Sequence, residues 1–144
     1  MRPGASVSAV PTTARPDRVR DGGGWEESAG YSRAARAGCC VAVSGTTDAG
    51  PDGGVAHPGD THAQTVACLT RALAAAAQLG AGPADVLRTR VLLAPGADWT
   101  AAARAHAEVL GDVAPANTML FVGGLIGEGF LVEVELDACT GPAA

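Results

Sequence analysis

The sequence has no lysine, few aromatic residues and no long apolar stretch. All ten basic residues of the 144-residue chain are arginines, the formal net charge is −5, and aromatic residues make up only 3%. Nucleic-acid binding depends on clustered positive charge and, for single strands, on aromatic side chains that stack on bases. The composition therefore argues against a nucleic-acid partner.

Membrane segments and secretion signals are missing as well. No window approaches the run of about 18 apolar residues that identifies a membrane helix. Residues 1–20 contain Arg, Pro and Ser without the apolar core of a signal peptide. We therefore expect a cytoplasmic protein that has no contact with a membrane.

The four cysteines lack the spacing of a metal-binding or redox motif. Cys39 and Cys40 are adjacent, Cys68 and Cys139 are distant in sequence, and no C-x-x-C occurs. Cysteine is a small residue that packs well in a core. Buried or inert thiols are therefore expected.

The segment from His57 to His62 reads H-x-x-D-x-H, a spacing that could belong to a metal site. His57, however, lies in a Pro/Gly-rich loop, Asp60 is better placed as the N-cap of a helix, and the segment supplies no third strong ligand. No nucleophile elbow is present, and the Gly-rich stretch 123–129 precedes a strand and not a phosphate-binding helix. The sequence predicts no metal site.

The hydrophobic pattern predicts an α+β domain behind an N-terminal tail. Residues 1–24, which end in a run of glycines, are assigned to a flexible tail, and residues 25–144 to the domain, on which Trp25 is expected to dock. The predicted elements are a strand at 38–44, a helix at 60–79, a strand at 86–93, a helix at 99–110, and strands at 118–122 and 131–136. Two helices on one face of a mixed sheet leave the other face uncovered, and self-association is the simplest way to cover it.

Local signals mark the ends of both helices. Asp60 and Asp98 are predicted N-caps, and Gly80 and Gly111 are predicted to end the helices. Within the first helix the apolar residues recur at helical spacing and predict the buried stripe, whereas Gln64 and Arg71 lie elsewhere on the helical wheel. The stripe consists of Val66, Leu69, Leu73 and Ala76.

Charged residues alternate along two of the predicted strands. Glu133 and Glu135 share one face of the last strand, and Arg88 and Arg90 have the same spacing on another. Paired carboxylates can perform acid–base chemistry. The same residues can also pair with the arginines across the sheet.

Five segments of the chain follow one another in an order that is typical of a known family. They are Gly30–Ala34 (GYSRA), Val43–Thr46 (VSGT), Gln64–Gly80, Asp85–Leu93 and Pro115–Glu135. Together they resemble the RidA/YjgF family of reactive intermediate deaminases over about residues 25–140. The resemblance implies a two-layer, chorismate-mutase-like α+β fold and a homotrimer with pockets between neighbouring subunits. It also implies hydrolysis of 2-imino or enamine acids to 2-oxo acids and ammonia, without a cofactor.

The resemblance also assigns the candidate site residues. Glu133 matches the family glutamate that positions or activates water, and Asn117 replaces the arginine that holds the substrate carboxylate. Tyr31 and Ser44 match pocket-lining positions, and Met119 stands where some members have a reactive cysteine. The candidate catalytic residues are Glu133 and Asn117, and the candidate substrate-binding residues are Tyr31, Ser44, Gly45, Met119, Glu128 and His106.

Several functions remain open from the sequence. The first is an enzyme acting on a small-molecule imine or enamine that lacks a free α-carboxylate or presents it differently. A second is a trimer that binds a ligand without turnover. A third is a dehydration, cyclisation or isomerisation in specialised metabolism with Glu133 as general base. The endoribonuclease activity that the family name carries is disfavoured by the negative charge and low aromatic content. For His106, a lone histidine within a helix, a half-buried structural role competes with ligand binding.

Overall fold

Alternating apolar residues build a six-stranded sheet in the computed structural model, which describes residues 17–141. The strands are β1 (Arg18–Val19), β2 (Ala34–Ala37), β3 (Cys40–Thr47), β4 (Val86–Leu93), β5 (Ala116–Phe121) and β6 (Val132–Cys139). The helices are α1 (Gly24–Ala29), α2 (Thr61–Ala77) and α3 (Trp99–Leu110), with a 3₁₀ turn at Pro83–Asp85.

The sheet is mixed and has the strand order β1-β2-β3-β6-β4-β5. The last strand, β6, lies between β3 and β4 and is antiparallel to both, whereas β4 and β5 are parallel. Helix α3 connects these parallel strands, as such a crossover requires. The predicted α+β fold with two main helices is confirmed. Within the described residues no helix is long and apolar enough to span a membrane.

The core lies between the sheet and helices α2 and α3. Val132, Val134 and Leu136 of β6 are fully buried against this layer, and Leu69 of α2 packs in the same core. Burying a side chain of this size contributes about 1.5–3 kcal/mol. We call this side of the sheet the helix face.

The other side of the sheet, which we call the open face, is polar and only partly shielded. It carries Glu133, Glu135 and Asp137 of β6, which alternate with the buried residues, and Arg90 and Leu92 of β4. All five are half-buried. Neither α2 nor α3 covers this face, because both pack on the helix face.

The predicted N-caps of both long helices are confirmed. The carboxylate of Asp60 accepts a hydrogen bond from the Ala63 N–H at 2.9 Å, and Asp98 caps α3 in the same way. Caps of this kind contribute about 1 kcal/mol. Gly80 follows α2 with a φ of 83°, whereas Gly111 is right-handed and the left-handed residue after α3 is Ala114, at 49°.

Gln64, which the helical wheel places away from the apolar stripe of α2, is fully buried. Its amide group donates to the carbonyls of His57 at 3.0 Å and Gly129 at 3.2 Å, and accepts from the Leu131 N–H at 2.8 Å. These bonds satisfy a polar group whose burial is otherwise costly. Gln64 therefore ties two loops to the helix.

The folded part of the chain begins before residue 25, the predicted domain boundary. Val19 of β1 is buried and pairs with Ala34 of β2, where a tail was expected. The buried Glu26 carboxylate accepts from the N–H groups of Asp21 and Gly22, which fixes the glycine-rich turn. Trp25 does not dock but is 71% exposed. The prediction of a flexible tail at residues 1–16 lies outside the described residues.

Two further predictions need correction. The strand predicted at 38–44 is observed at Cys40–Thr47, so Ser44 and Gly45 both lie inside β3. Of the four cysteines only Cys68 is fully buried, whereas Cys39 and Cys40 are exposed. Both residues lie at the β2–β3 hairpin, where the pattern of apolar residues does not specify burial.

Candidate active site

A β-bulge brings Gly45 against Glu133. Val43 pairs with Leu136 and Thr46 pairs with Val134, so Ser44 and Gly45 together lie opposite the single residue Glu135. Such a bulge bends the strand and redirects its side chains. The Ser44 hydroxyl donates to the Ser32 carbonyl at 2.7 Å and holds this bend.

The Glu133 carboxylate occupies the space above Gly45. A Cβ at Gly45 would overlap both the Oε1 and Cδ atoms of Glu133. Only glycine therefore leaves room for the observed position of the carboxylate. Both residues are candidates from the sequence, and the structure brings them together.

The surroundings of Glu133 favour its protonated form more than water does. Burial, and after it the Glu135 carboxylate, raise the pKa of Glu133, whereas the positive charge of Arg33 lowers it. A carboxylate with a raised pKa is a better proton acceptor once it is ionised. The site therefore has the electrostatics of a general base.

Arg33 is the residue of this site that the sequence analysis missed. Its Nη2 atom donates to the Gly45 carbonyl, and its Nε atom is buried without a hydrogen-bond partner among the described residues. An arginine so close to Gly45 and Glu133 supports the bulge and offers positive charge beside the carboxylate. The sequence feature that could have pointed to Arg33 is its place in the GYSRA segment, two residues after the candidate Tyr31.

The expected charge pairing across the sheet involves Glu135 and not Glu133. Arg90 Nη1 lies 3.2 Å from an oxygen of Glu135 and 3.2 Å from an oxygen of Asp137. Among residues 17–141, no arginine or histidine forms an ion pair with Glu133. The Glu133 carboxylate is thus not held in an ion pair and can contact another group.

Asn117 lies on the opposite side of the sheet from Glu133. Asn117 on β5 is in register with Thr89 on β4, and its Nδ2 atom donates to the Thr89 hydroxyl at 3.0 Å. Thr89 is buried on the helix face, whereas Glu133 is on the open face. The two candidate catalytic residues therefore do not meet within one chain.

The Thr89 hydroxyl connects Asn117 to His106. It accepts from Asn117 Nδ2 at 3.0 Å, and its oxygen lies 2.8 Å from His106 Nε2, within hydrogen-bond distance. Burial lowers the pKa of His106, which agrees with the neutral form.

Three of the remaining candidates, Tyr31, Ser44 and Met119, line surface clefts. A cleft of about 430 Å³ on the helix face is lined by Asn117 and Met119 together with Trp99 and Phe121. A cleft of about 470 Å³ on the open face is lined by Tyr31, Ser44, Glu135 and Asp137, with Arg18 and Arg20 at its edge. Glu128 is exposed in the loop before β6 and lines neither cleft.

The family model described as endoribonuclease L-PSP matches residues 25–140. The chain belongs to this family, the YjgF/YER057c/UK114 or RidA family. The resemblance drawn from the sequence is therefore confirmed. The family assignment covers the bulge, Glu133 and Asn117.

Several RidA-family relatives resemble the chain along most of its length. The uncharacterized protein SCO2049 of Streptomyces coelicolor is 43% identical over 124 residues, which cover 86% of this chain and 92% of that protein. The crystal structure of Rv2704 from Mycobacterium tuberculosis is 38% identical, covers 87% of this chain and 99% of that one, and gives a TM-score of 0.77. The YjgF gene product of E. coli, 22% identical over 77% of this chain and 88% of that one, shares the fold with a TM-score of 0.68.

The histidines of the H-x-x-D-x-H segment contact different partners in this RidA-family fold. His57 Nδ1 lies 3.0 Å from the buried Asp48, and His62 Nε2 lies 2.9 Å from Glu108. Asp60 serves as the cap of α2. In the part of the chain that the structure describes, no group of three or more His, Cys, Asp or Glu side chains is placed to hold a metal ion.

Proposed function

We propose that this RidA-family chain hydrolyses a reactive imine or enamine in a pocket between subunits of a homotrimer. The observation that carries the proposal is the Glu133 carboxylate, which is held over Gly45 and left without an ion-pair partner among the described residues. Its counterpart Glu135 is engaged by Arg90. Of these two neighbouring carboxylates, Glu133 is thus the one that can act as a base.

The reaction needs one water molecule and one proton acceptor. Glu133 accepts a proton from water as the water oxygen attacks the imine carbon. The imine nitrogen takes a proton from the solvent, which gives a carbinolamine. The protonated Glu133 then returns its proton to the carbinolamine nitrogen, the C–N bond breaks, and the hydroxyl proton passes to the solvent, so the products are a carbonyl compound and ammonia. General base catalysis of this kind contributes about 10²–10⁴-fold. The raised pKa of Glu133 supports this role.

A complete site requires a second copy of the chain. Asn117 and Glu133 are on opposite faces of the same sheet, so an Asn117 that faces the Glu133 carboxylate must come from a neighbouring subunit. The region around the exposed edge strand β5 supports such an assembly, because its large apolar side chains are exposed. These are Leu87 at 60%, Trp99 at 57%, Leu120 at 41% and Phe121 at 55%.

The substrate preference follows from Asn117. Arginine binds a carboxylate through two charge-assisted hydrogen bonds, and each is worth about 1.5–3 kcal/mol. Asparagine offers a neutral amide that already donates to Thr89. We therefore infer a substrate that lacks a free α-carboxylate, such as the N-unsubstituted aldimine (R–CH=NH) that forms when a primary amine is oxidised.

Matched variants of the two glutamates test the catalytic role. Aldimines are generated in situ from primary amines by an amine oxidase, and their lifetime is followed by trapping with semicarbazide. Glu133→Gln keeps the shape of the side chain but removes its charge, so hydrolysis should slow at least about tenfold. Glu135→Gln should have a much smaller effect.

A trimer that binds a ligand without turnover would give different results for the same two variants. Equal and small effects of Glu133→Gln and Glu135→Gln, with both trimers intact, would mean that Glu133 has no chemical role. That result would favour the trimer that binds a ligand without turnover. Loss of the trimer in Glu133→Gln alone would instead assign the residue to assembly.

A further inference from the structure

Three cysteines meet at the end of the sheet that is far from Glu133. Cys40, the first residue of β3, is the direct cross-strand partner of Cys139, the last residue of β6. Cys39 lies in the turn between β2 and β3, with its Sγ atom 4.0 Å from the Cys40 Sγ atom. Its carbonyl accepts from the Thr140 N–H at 2.9 Å, which holds the turn against β6.

The three thiols are not equivalent. Hydrogen bonds from the thiols of Cys139 and Cys40 lower the pKa of Cys39, whereas the pKa values of Cys40 and Cys139 are raised. Cys39 is also exposed, so a reagent in solution reaches its sulfur. A thiolate that is exposed and has a lowered pKa is the form that reacts with oxidants.

We propose that Cys39, Cys40 and Cys139 form a peroxide-sensitive thiol site, in which Cys39 is oxidised first and Cys139 resolves it as a disulfide. The juxtaposition of the β2–β3 turn with the end of β6 supplies the second sulfur from a different strand. Cys40 is a poorer resolving residue, since a bond between adjacent cysteines departs from ordinary disulfide geometry.

The chemistry balances with a hydroperoxide as the oxidant. The Cys39 thiolate attacks the distal oxygen of the hydroperoxide, the O–O bond breaks, and Cys39 sulfenic acid and an alkoxide form; the alkoxide takes a proton to become an alcohol. The Cys139 thiol then attacks the Cys39 sulfur, and the hydroxyl group leaves as water. Two thiols lose two electrons in total, and the hydroperoxide gains them.

Cysteine variants of the full chain test the site by mass spectrometry. The reduced protein is treated with tert-butyl hydroperoxide. The wild type should lose two free thiols and 2 Da per chain, and peptide mapping should join Cys39 to Cys139. Cys39→Ser should abolish this loss. Cys139→Ser should leave a sulfenic acid on Cys39 that dimedone captures. Cys40→Ser should still form the bond between Cys39 and Cys139, although more slowly, because the Cys40 thiol helps to lower the pKa of Cys39. Cys68→Ala, which changes a buried thiol outside the site, should oxidise as the wild type does.

Other products would overturn the proposal. These are four unchanged thiols after treatment, a disulfide that still forms in Cys39→Ser, or a bond that joins two chains and appears as a covalent dimer. The site does not involve Glu133, so hydrolysis by the reduced protein reports separately on the proposed function. A Glu133→Gln chain should oxidise as the wild type does.

Discussion

At the scale of single residues, Glu133 keeps its position because Gly45 has no Cβ. We predict that Gly45→Ala displaces the carboxylate from the site and slows imine hydrolysis at least about tenfold. The fold should persist, since Gly45 does not adopt a left-handed φ and the displaced group is the end of a flexible side chain. Gly123→Ala, where the added Cβ has open space, is the matched control.

The neighbours of Glu133 predict opposite changes in the pH profile. As a base, Glu133 must be ionised, so hydrolysis falls when the pH drops below its pKa. Arg33 lowers that pKa and Glu135 raises it. Arg33→Gln should therefore move the acid limb of the rate profile to higher pH, and Glu135→Gln should move it to lower pH. Limbs that move in the same direction would contradict this assignment.

From Asn117 we predict that substrates with a free α-carboxylate are hydrolysed slowly. Hydrolysis of 2-imino acids, generated from amino acids by an L-amino acid oxidase, should be slow in the wild type. Asn117→Arg should increase that rate, because a guanidinium binds a carboxylate in two places. A wild-type rate equal to that of arginine-bearing relatives would remove the inferred substrate preference.

The sequence points to Glu133, Asn117, Ser44 and Gly45 as candidates, but it does not predict how they are arranged. Arg33 lies beside Gly45 only because of the bulge, and the bulge is a matter of register between two strands. Whether Asn117 lies on the same side of the sheet as Glu133 likewise depends on how β5 aligns with β4. Such contacts join residues far apart in the sequence, where no local pattern reports them.

At the scale of elements, Thr89 links β4 to both β5 and α3. Its hydroxyl bonds Asn117 and His106, so Thr89→Val should leave both partners without that bond at nearly constant volume. The free energy of unfolding should fall by about 1 kcal/mol, measured by urea denaturation. Thr118→Val, an exposed position on β5, should change it by less than about 0.5 kcal/mol.

Elements with strong local signals were predicted almost to the residue. Both long helices begin after an aspartate cap, and β4 was predicted with its observed bounds. By contrast, β1 and α1 were missed, because the glycine-rich turn between them is a signal for irregular structure. The buried Glu26, which contacts the backbone of that turn, stabilises it and could not be inferred from composition.

At the scale of the whole molecule, the uncovered face of the sheet was predicted from the number of helices alone. The sequence cannot specify which surfaces of two copies meet, because that depends on the shape of the folded chain. Because Asn117 and Glu133 lie on opposite faces, the question is whether the Asn117 face of one copy meets the Glu133 face of another. A shared site needs both faces, one from each of two neighbouring subunits.

Complementation between two variants tests this central claim most directly. Glu133→Gln and Asn117→Leu chains are assayed alone and after co-assembly in equal amounts, with light scattering used to verify particles of three times 14.2 kDa. In random trimers, about one site in four combines an intact Glu133 with an intact Asn117 of the neighbouring chain. We predict that each variant alone hydrolyses the aldimine slowly, because every shared site lacks one of the two side chains, and that the mixture recovers about a quarter of the wild-type rate. Mixed trimers that are no more active than the two variants alone would contradict a site shared between subunits.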